Sequence, residues 1–261
     1  MFSPRDFDRI RQETFVDVID YHAQIDSTNT RALQLVASDD TAQPCTLVLA
    51  EEQTAGRGRG NNVWWSGPGA LTFSVLIDCQ QVSLPIGRWP QIALTTGLAV
   101  CDGVDQFLGQ QVAALKWPND VFLEGKKVCG ILVESGDHRR QNVVVGIGVN
   151  VNNSLASAPV ELSGKAIALC DLLPHPIVPV DFLVFLLKRI ASRLAVLASG
   201  DLHLPNEWQA RCLLTNRKVE IDTGAQTVTG VCQGINHDGA LLVQTKLACE
   251  RILSGVVTKF E

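Results

Sequence analysis

The chain has 261 residues, of which 46% are hydrophobic and 19% charged, with a formal net charge of −5. That balance supports a buried core and excludes global disorder, and the length allows one large domain or a main domain with a small appendage. The acidity excludes a chain built as a whole to bind nucleic acid or an anionic membrane, so any basic site must be local.

The eight cysteines form no CxxC pair and the five histidines are scattered. Neither a zinc site from local ligand spacing nor a disulfide framework is expected, and the expectation is reduced thiols in the cytoplasm. The N-terminal MFSPRDFDRI has no apolar signal core. The most apolar long stretch, Asp181 to Ser199, is broken by Lys188, Arg189 and Arg193. It reads as an amphipathic helix, and no membrane span is expected.

In chain order, residues 1–20 are a short lead-in. Asp26 or Ser27 is a good N-cap for an apolar-periodic helix through Ala32, Leu33 and Val36. Thr46 to Ala50 and Leu71 to Ile77 read as strands around a glycine-rich loop. Ile92 to Leu108 reads as a helix with Leu94, Leu98, Cys101 and Leu108 on one face. Val112 to Trp117, Val121 to Leu123, Val128 to Glu134 and Asn142 to Val151 read as strands joined by turn signals. Asp181 to Ala198 is a helix capped by Asp181. After about Arg211 short strands alternate with turns, which predicts a small β-barrel. The expected division is a catalytic domain over 1–211 and a barrel over 212–261.

Four stretches carry chemistry. In Gln53-Thr54-Ala55-Gly56-Arg57-Gly58-Arg59-Gly60-Asn61-Asn62-Val63-Trp64, alternating glycines let backbone amides approach an anion and two arginines add fixed charge. It is neither a Walker A loop nor a dinucleotide fingerprint, and alone it could be a flexible surface loop. Lys116-Trp117-Pro118-Asn119-Asp120 ends a strand in a turn that presents an amide and a carboxylate; a plain Pro-Asn-Asp turn is the alternative. In Lys126 to Glu134, alternation puts Lys127, Cys129, Ile131 and Val133 on one face, so Lys127 is either at an exposed strand end or paired with an anion. In Val145-Gly146-Ile147-Gly148-Val149-Asn150-Val151-Asn152, alternating glycines suit a ligand lying flat on the strand, or a close helix-to-sheet contact.

Together these stretches resemble the biotin protein ligase family, the biotin–[acetyl-CoA-carboxylase] ligases. The match runs in order: DSTNT at 26–30, EQTAGRGR at 52–59, KWPND at 116–120, KKVCGILVE at 126–134 and GIGVNVN at 146–152. The resemblance implies an α/β fold, a mixed β-sheet with flanking helices like class II aminoacyl-tRNA synthetases, plus a C-terminal SH3-like barrel. With about 25 residues before the first motif, the chain resembles the monofunctional class that lacks an N-terminal DNA-binding domain.

The resemblance also implies roles. Ser27, Thr28, Asn29, Gln53, Gly56 and Gly130 would surround biotin. Arg57, Gly58 and Arg59 would close over its carboxylate and the adenylate phosphate, and Lys127 would contact the activated carboxyl. Asn119, Asn150 and Trp64 would lie at the nucleotide, and Asp120 would face the incoming lysine. The loop departs from the family pattern Arg-x-Gly-Arg-x-Trp, because Asn61 and Asn62 stand where the pattern has glycine and a further arginine; it carries one charge fewer.

The implied substrates are ATP and biotin, with Mg²⁺ helping Arg57, Arg59 and Lys127 offset the repulsion between carboxylate and phosphate. The implied partner is a biotin carboxyl carrier protein or carrier domain, and the enzyme would be a monomer or homodimer. Two other readings are a lipoate or octanoate ligase or transferase, and a non-catalytic adenylate-binding module. An octanoyltransferase would need a cysteine nucleophile, and Cys129 alone lies near the motifs.

Overall fold

The computed structural model describes residues 2–38, 45–136, 141–201 and 203–261. The lead-in contains two elements that periodicity did not reveal. Helix α1 (Pro4–Glu13) is closed by a capping box in which Ser3 Oγ accepts the Asp6 amide and the Asp6 carboxylate accepts the Ser3 amide at 2.8 Å. Strand β1 (Val18–Ile25) follows, half-exposed at a sheet edge.

The main sheet has seven strands in the order β1-β2-β3-β7-β6-β5-β4. Besides β1 these are β2 (Thr46–Gln53), β3 (Leu71–Asp78), β4 (Ala114–Lys116), β5 (Asp120–Leu123), β6 (Lys126–Ser135) and β7 (Asn142–Val149). β1 and β2 are parallel and the remaining pairs antiparallel, so the sheet is mixed as expected. β3 and β7 are buried almost throughout, because α3 and α4 cover one face and α2 together with Trp64 covers the other.

On one face, α2 (Thr28–Ser38) packs Ala32 and Val36 against Val48, Leu76 and Val144. On the other lie α3 (Ile92–Leu108) and α4 (Pro179–Ala198), with Leu98, Val104, Phe182 and Leu186 in the principal core. α4 begins two residues before its expected cap. Pro179 starts it, and Asp181 sits inside the first turn, where its carboxylate meets Arg9 of α1. A prolyl nitrogen has no N–H to satisfy at that position, which removes the need for the aspartate cap.

α5 (Leu204–Arg211) is fixed to α3 and α4 by a charged cluster. Asp102 accepts from Arg189 at 2.6 Å and from Arg193 at 2.8 Å, and Arg211 pairs with Asp105. Beyond α5 a five-stranded antiparallel sheet forms from β8 (Lys218–Asp222), β9 (Thr227–Ile235), β10 (Leu241–Gln244), β11 (Cys249–Ile252) and β12 (Val256–Phe260). Alternation buries Val219, Ile221, Val228, Cys232, Leu241 and Val243 on its inner face. Trp117 ties the two sheets together, donating its indole N–H to the Gly239 carbonyl at 3.3 Å.

Candidate active site

α2 covers only one end of its sheet face. The other end, beyond the pair Leu76↔Val144, is floored by Thr72 and Ser74 of β3, Gly146 and Gly148 of β7, and Gly130 and Leu132 of β6. The first residues of α2 stand as a wall over this floor. Ser27, Thr28 and Asn29 are almost fully buried. Gln53 Oε1 accepts both the Thr28 amide (2.7 Å) and the Thr28 hydroxyl (3.1 Å). Ser27 Oγ accepts the Thr30 amide at 3.5 Å, so Ser27 takes the cap position.

The glycines of β7 leave room for protein side chains. A Cβ on Gly146 would stand 1.8 Å from Asn29 Oδ1, which is the close helix-to-sheet contact. A Cβ on Gly148 would stand 2.2 Å from the indole of Trp64, and one on Gly130 3.4 Å from it. Trp64 thus lies on the glycine floor, and the space left among Ser27, Thr28, Gln53 and Trp64 is about 30 Å³. The buried indole N–H of Trp64 has no partner among the described residues.

Asn29 reaches further than expected. Its Oδ1 accepts from Ser74 Oγ at 2.6 Å, and its Nδ2 donates to Glu134 at 2.9 Å. Glu134 also receives Arg57 as a fork, at 2.6 and 3.0 Å. Sequence reasoning missed Glu134 and Ser74; Glu134 already ended the third motif, and its charge beside two motif cations was the available signal. Arg57 is therefore held by a carboxylate of β6 where it lines the pocket beside Trp64.

The loop itself is closed by backbone bonds. Trp64 donates to the Gly56 carbonyl at 2.9 Å and Gly58 to the Asn62 carbonyl at 2.8 Å. Any Cβ on Gly56 would meet Trp64 O at 2.3 Å. The left-handed residue in the turn is Gly60, with φ +60°. Arg59 leaves the loop to donate to Gly255 O at 3.2 Å and Ser254 Oγ at 3.4 Å, in the turn between β11 and β12. Burial lowers its affinity for its proton, opposed by the Asp120 charge.

Lys127 does not share the face of Cys129 and Ile131. A bulge shifts the β5–β6 register, so that Val121 faces Cys129 but Phe122 faces Lys127. The extra residue resets the alternation and sends Lys127 to the glycine side. There its Nζ lies 2.7 Å from Asp120 Oδ1 and 6.0 Å from the Trp64 ring. Cys129 stays fully buried on the opposite side, its thiol pushed well up by burial, and cannot act as an acyl-accepting nucleophile.

Asp120 and Lys127 line a second chamber of about 460 Å³, largely apolar, with Trp64, Trp65, Phe122, Asn150 and Ala166. Phe260 of β12 completes its wall, a residue from outside every sequence motif. Lys116 lies between Phe122 and Phe260, 5.8 and 5.3 Å from their ring centres, and burial lowers its proton affinity. Asn150 is buried and accepts from Asn153 at 3.0 Å. Asn119 spends its amide on the Ile131 carbonyl at 2.6 Å, and so braces the turn that presents Asp120. Among the described residues no group of three His, Cys, Asp or Glu side chains could hold a metal ion.

A polar pocket, the Lys127–Asp120 pair and an apolar chamber thus lie side by side on the sheet, and the family that carries this arrangement is one of ligases. The chain belongs to the biotin/lipoate A/B protein ligase family, whose pattern matches residues 21–152, and residues 215–258 match the biotin protein ligase C-terminal domain. It is 32% identical to the bifunctional ligase/repressor BirA of Bacillus subtilis, over 90% of this chain and 71% of that protein. It is 32% identical to the biotin–[acetyl-CoA-carboxylase] ligase of Mycobacterium tuberculosis, over 85% and 82%. The Aquifex aeolicus biotin protein ligase in complex with biotin and ATP superposes with a TM-score of 0.78 at 28% identity, covering 94% of this chain and 98% of that one.

Proposed function

We propose that the chain joins biotin to ATP as biotinyl-5′-AMP and passes the biotinyl group to a lysine of a biotin carboxyl carrier protein or carrier domain. The observation that carries this reading is the position of Lys127, which lines the apolar chamber while its Nζ would stand 3.2 Å from a Cβ on Gly130 of the polar pocket.

In the first step a biotin carboxylate oxygen attacks the α-phosphorus of ATP. The bond from that phosphorus to the bridging oxygen breaks, and pyrophosphate leaves. Two anions approach each other, and Lys127 supplies the cation at the reacting oxygens, a contribution of about 3 kcal/mol for one such donor. Ser27, Thr28 and Gln53 are assigned to the polar ring edges. A dry pocket that leaves polar groups unpaired rejects acids lacking those edges, which disfavours lipoate. Asn29, Gly56 and Gly130 shape this pocket. At about 30 Å³ it admits little more than a water, so Trp64 and the loop carrying Arg57, Gly58 and Arg59 must lift for biotin to enter. The adenine is assigned to the chamber walled by Phe260 and Asn150, with Trp64 packing against it and Asn119 bracing its rim. Mg²⁺ is assigned to the phosphates of ATP and arrives with the substrate.

In the second step a neutral lysine amine attacks the acyl carbon, an amide bond forms, and AMP departs with the phosphate oxygen. The amine gives up a proton to Asp120, which opens to the same chamber. Residues 1–211 form the catalytic unit and 212–261 the C-terminal unit. No described helix is long and apolar enough to cross a membrane; the eight free thiols favour the cytoplasm as its compartment.

Pyrophosphate release with biotin and a purified carrier domain tests the reading. Biotin should support release and labelling of one carrier lysine, and lipoate should not. Binding of ATP and biotin without release would instead favour the non-catalytic module.

A further inference from the structure

One carboxylate joins two sides of the polar pocket. Glu134 lies on β6 in alternation with Gly130 and Leu132, so its side chain turns to the glycine side and meets the first turn of α2. Its Oε2 accepts from Asn29 Nδ2 at 2.9 Å and from Arg57 Nη1 at 3.0 Å, and its Oε1 accepts from Arg57 Nη2 at 2.6 Å. Each arm continues around the pocket. Asn29 Nδ2 also donates to the Leu132 carbonyl at 3.2 Å, and Asn29 Oδ1 accepts from Ser74 Oγ at 2.6 Å. Ser74 Oγ lies 2.8 Å from Thr28 Oγ1, which donates to Gln53. On the other arm, Arg57 is bridged through its backbone to Val63, the neighbour of Trp64. Asn29, Thr28, Gln53, Arg57 and Trp64 all line the small polar space, whereas Glu134 lines neither that space nor the apolar chamber.

We propose that Glu134 is a positioning residue for adenylate formation, which fixes the loop at Arg57 and the helix wall at Asn29 on one carboxylate and so presets the polar pocket. The proposal rests on the reading of that pocket as the biotin site. Glu134 touches no reacting atom in this scheme and acts through Arg57 and Asn29.

The energetics select this role. An arginine side chain has many rotamers, and a two-pronged fork onto a carboxylate picks out one of them. The side chains of Arg57 and Glu134 are 43% and 23% exposed, so their pair adds little to folding stability. What the fork supplies is the share of molecules whose loop already stands at the pocket. A site that is ready only part of the time binds its ligand with affinity reduced by that fraction. Glu134→Gln separates the two arms. Its carbonyl can still accept from Asn29, but its amide nitrogen is a donor and cannot receive the second prong of Arg57.

The test measures biotin-dependent ATP–pyrophosphate exchange by the full chain, with urea unfolding of each variant alongside. Glu134→Gln should raise the biotin KM about five- to tenfold and leave kcat within about twofold of the parent, with the urea midpoint unmoved. Arg57→Gln breaks the fork from the loop side and should raise the biotin KM at least as much. In the double variant, Glu134→Gln should add less than about twofold, because the partner it acts through is gone. An unmoved biotin KM in Glu134→Gln overturns the proposal. So does a fall in kcat at constant KM, or full additivity in the double variant. Should Glu134→Gln unfold at lower urea, Arg57→Gln decides by itself, and a parent-like biotin KM there overturns the proposal. Exchange by the parent separates the two readings. If biotin supports none, the biotin site itself falls; if biotin supports it while both KM values stay put, only the role of Glu134 falls.

Discussion

Lys127 Nζ stands 2.7 Å from Asp120 Oδ1, across two strands whose register is broken by one extra residue. The bulge gives the site its cation, since an unbroken β6 would turn Lys127 into the core beside Cys129.

Lys127→Ala should lower ATP–pyrophosphate exchange by about 10²- to 10³-fold while changing ATP affinity by less than about threefold. The pair is partly exposed, so the melting temperature should hardly move. Isotope exchange and equilibrium ATP titration check this; equal exchange rates in variant and parent would refute the role.

Asp120→Asn should slow single-turnover transfer from preformed adenylate by at least tenfold, more than it slows adenylate formation. An unchanged transfer rate across the pH range would remove Asp120 as proton acceptor.

Gly146→Ala tests the floor. Its methyl would stand 1.8 Å from Asn29 Oδ1 and force Asn29 away from Ser74 and Glu134. Urea unfolding should show a loss of about 1–3 kcal/mol, with biotin binding weakened at least tenfold. Gly87→Ala, where nothing lies within 4 Å, should do neither.

Phe260→Ala should weaken ATP about 5- to 150-fold, as expected for losing roughly 1–3 kcal/mol of base stacking, and leave biotin affinity unchanged. Calorimetric titration with each substrate separates the two. Removal of residues from 214 onward should be more severe in turnover, because it also takes both partners of the Arg59 guanidinium.

Asn62 donates to Arg59 O at 2.9 Å and is exposed, while Gly60 already supplies the left-handed residue. Glycine at position 61 is therefore not needed to form the turn. Asn62→Arg should slow release of isolated adenylate by at most about tenfold, the scale of one incompletely buried charged contact. Indistinguishable decay would mean that position 62 stays in solvent when the adenylate is bound.

Much of this was legible in the sequence because its signals are local. Ile92–Leu108 matches the expected helix, since its apolar spacing and the Gly109 stop lie in one stretch. The motifs at 26–30, 52–59, 116–120, 126–134 and 146–152 do converge on one face, since each flanks a strand of one sheet. What stayed hidden depends on partners distant in sequence. The bulge at Lys127 needs β5 to be seen. Arg57 finds Glu134, Asn29 finds Ser74, and Phe260 closes a chamber begun at Lys116. β1 was missed because its half-exposed edge shows no clean alternation.

The wall formed by Phe260 and the anchorage of Arg59 on Ser254 and Gly255 also bear on synthesis. A ribosome releases the five motifs first and these residues long afterwards. Until they emerge, a growing chain has neither the chamber wall at Phe260 nor the anchor for its loop. Completion of the chamber and of the loop's anchorage therefore waits on the last strand of the chain.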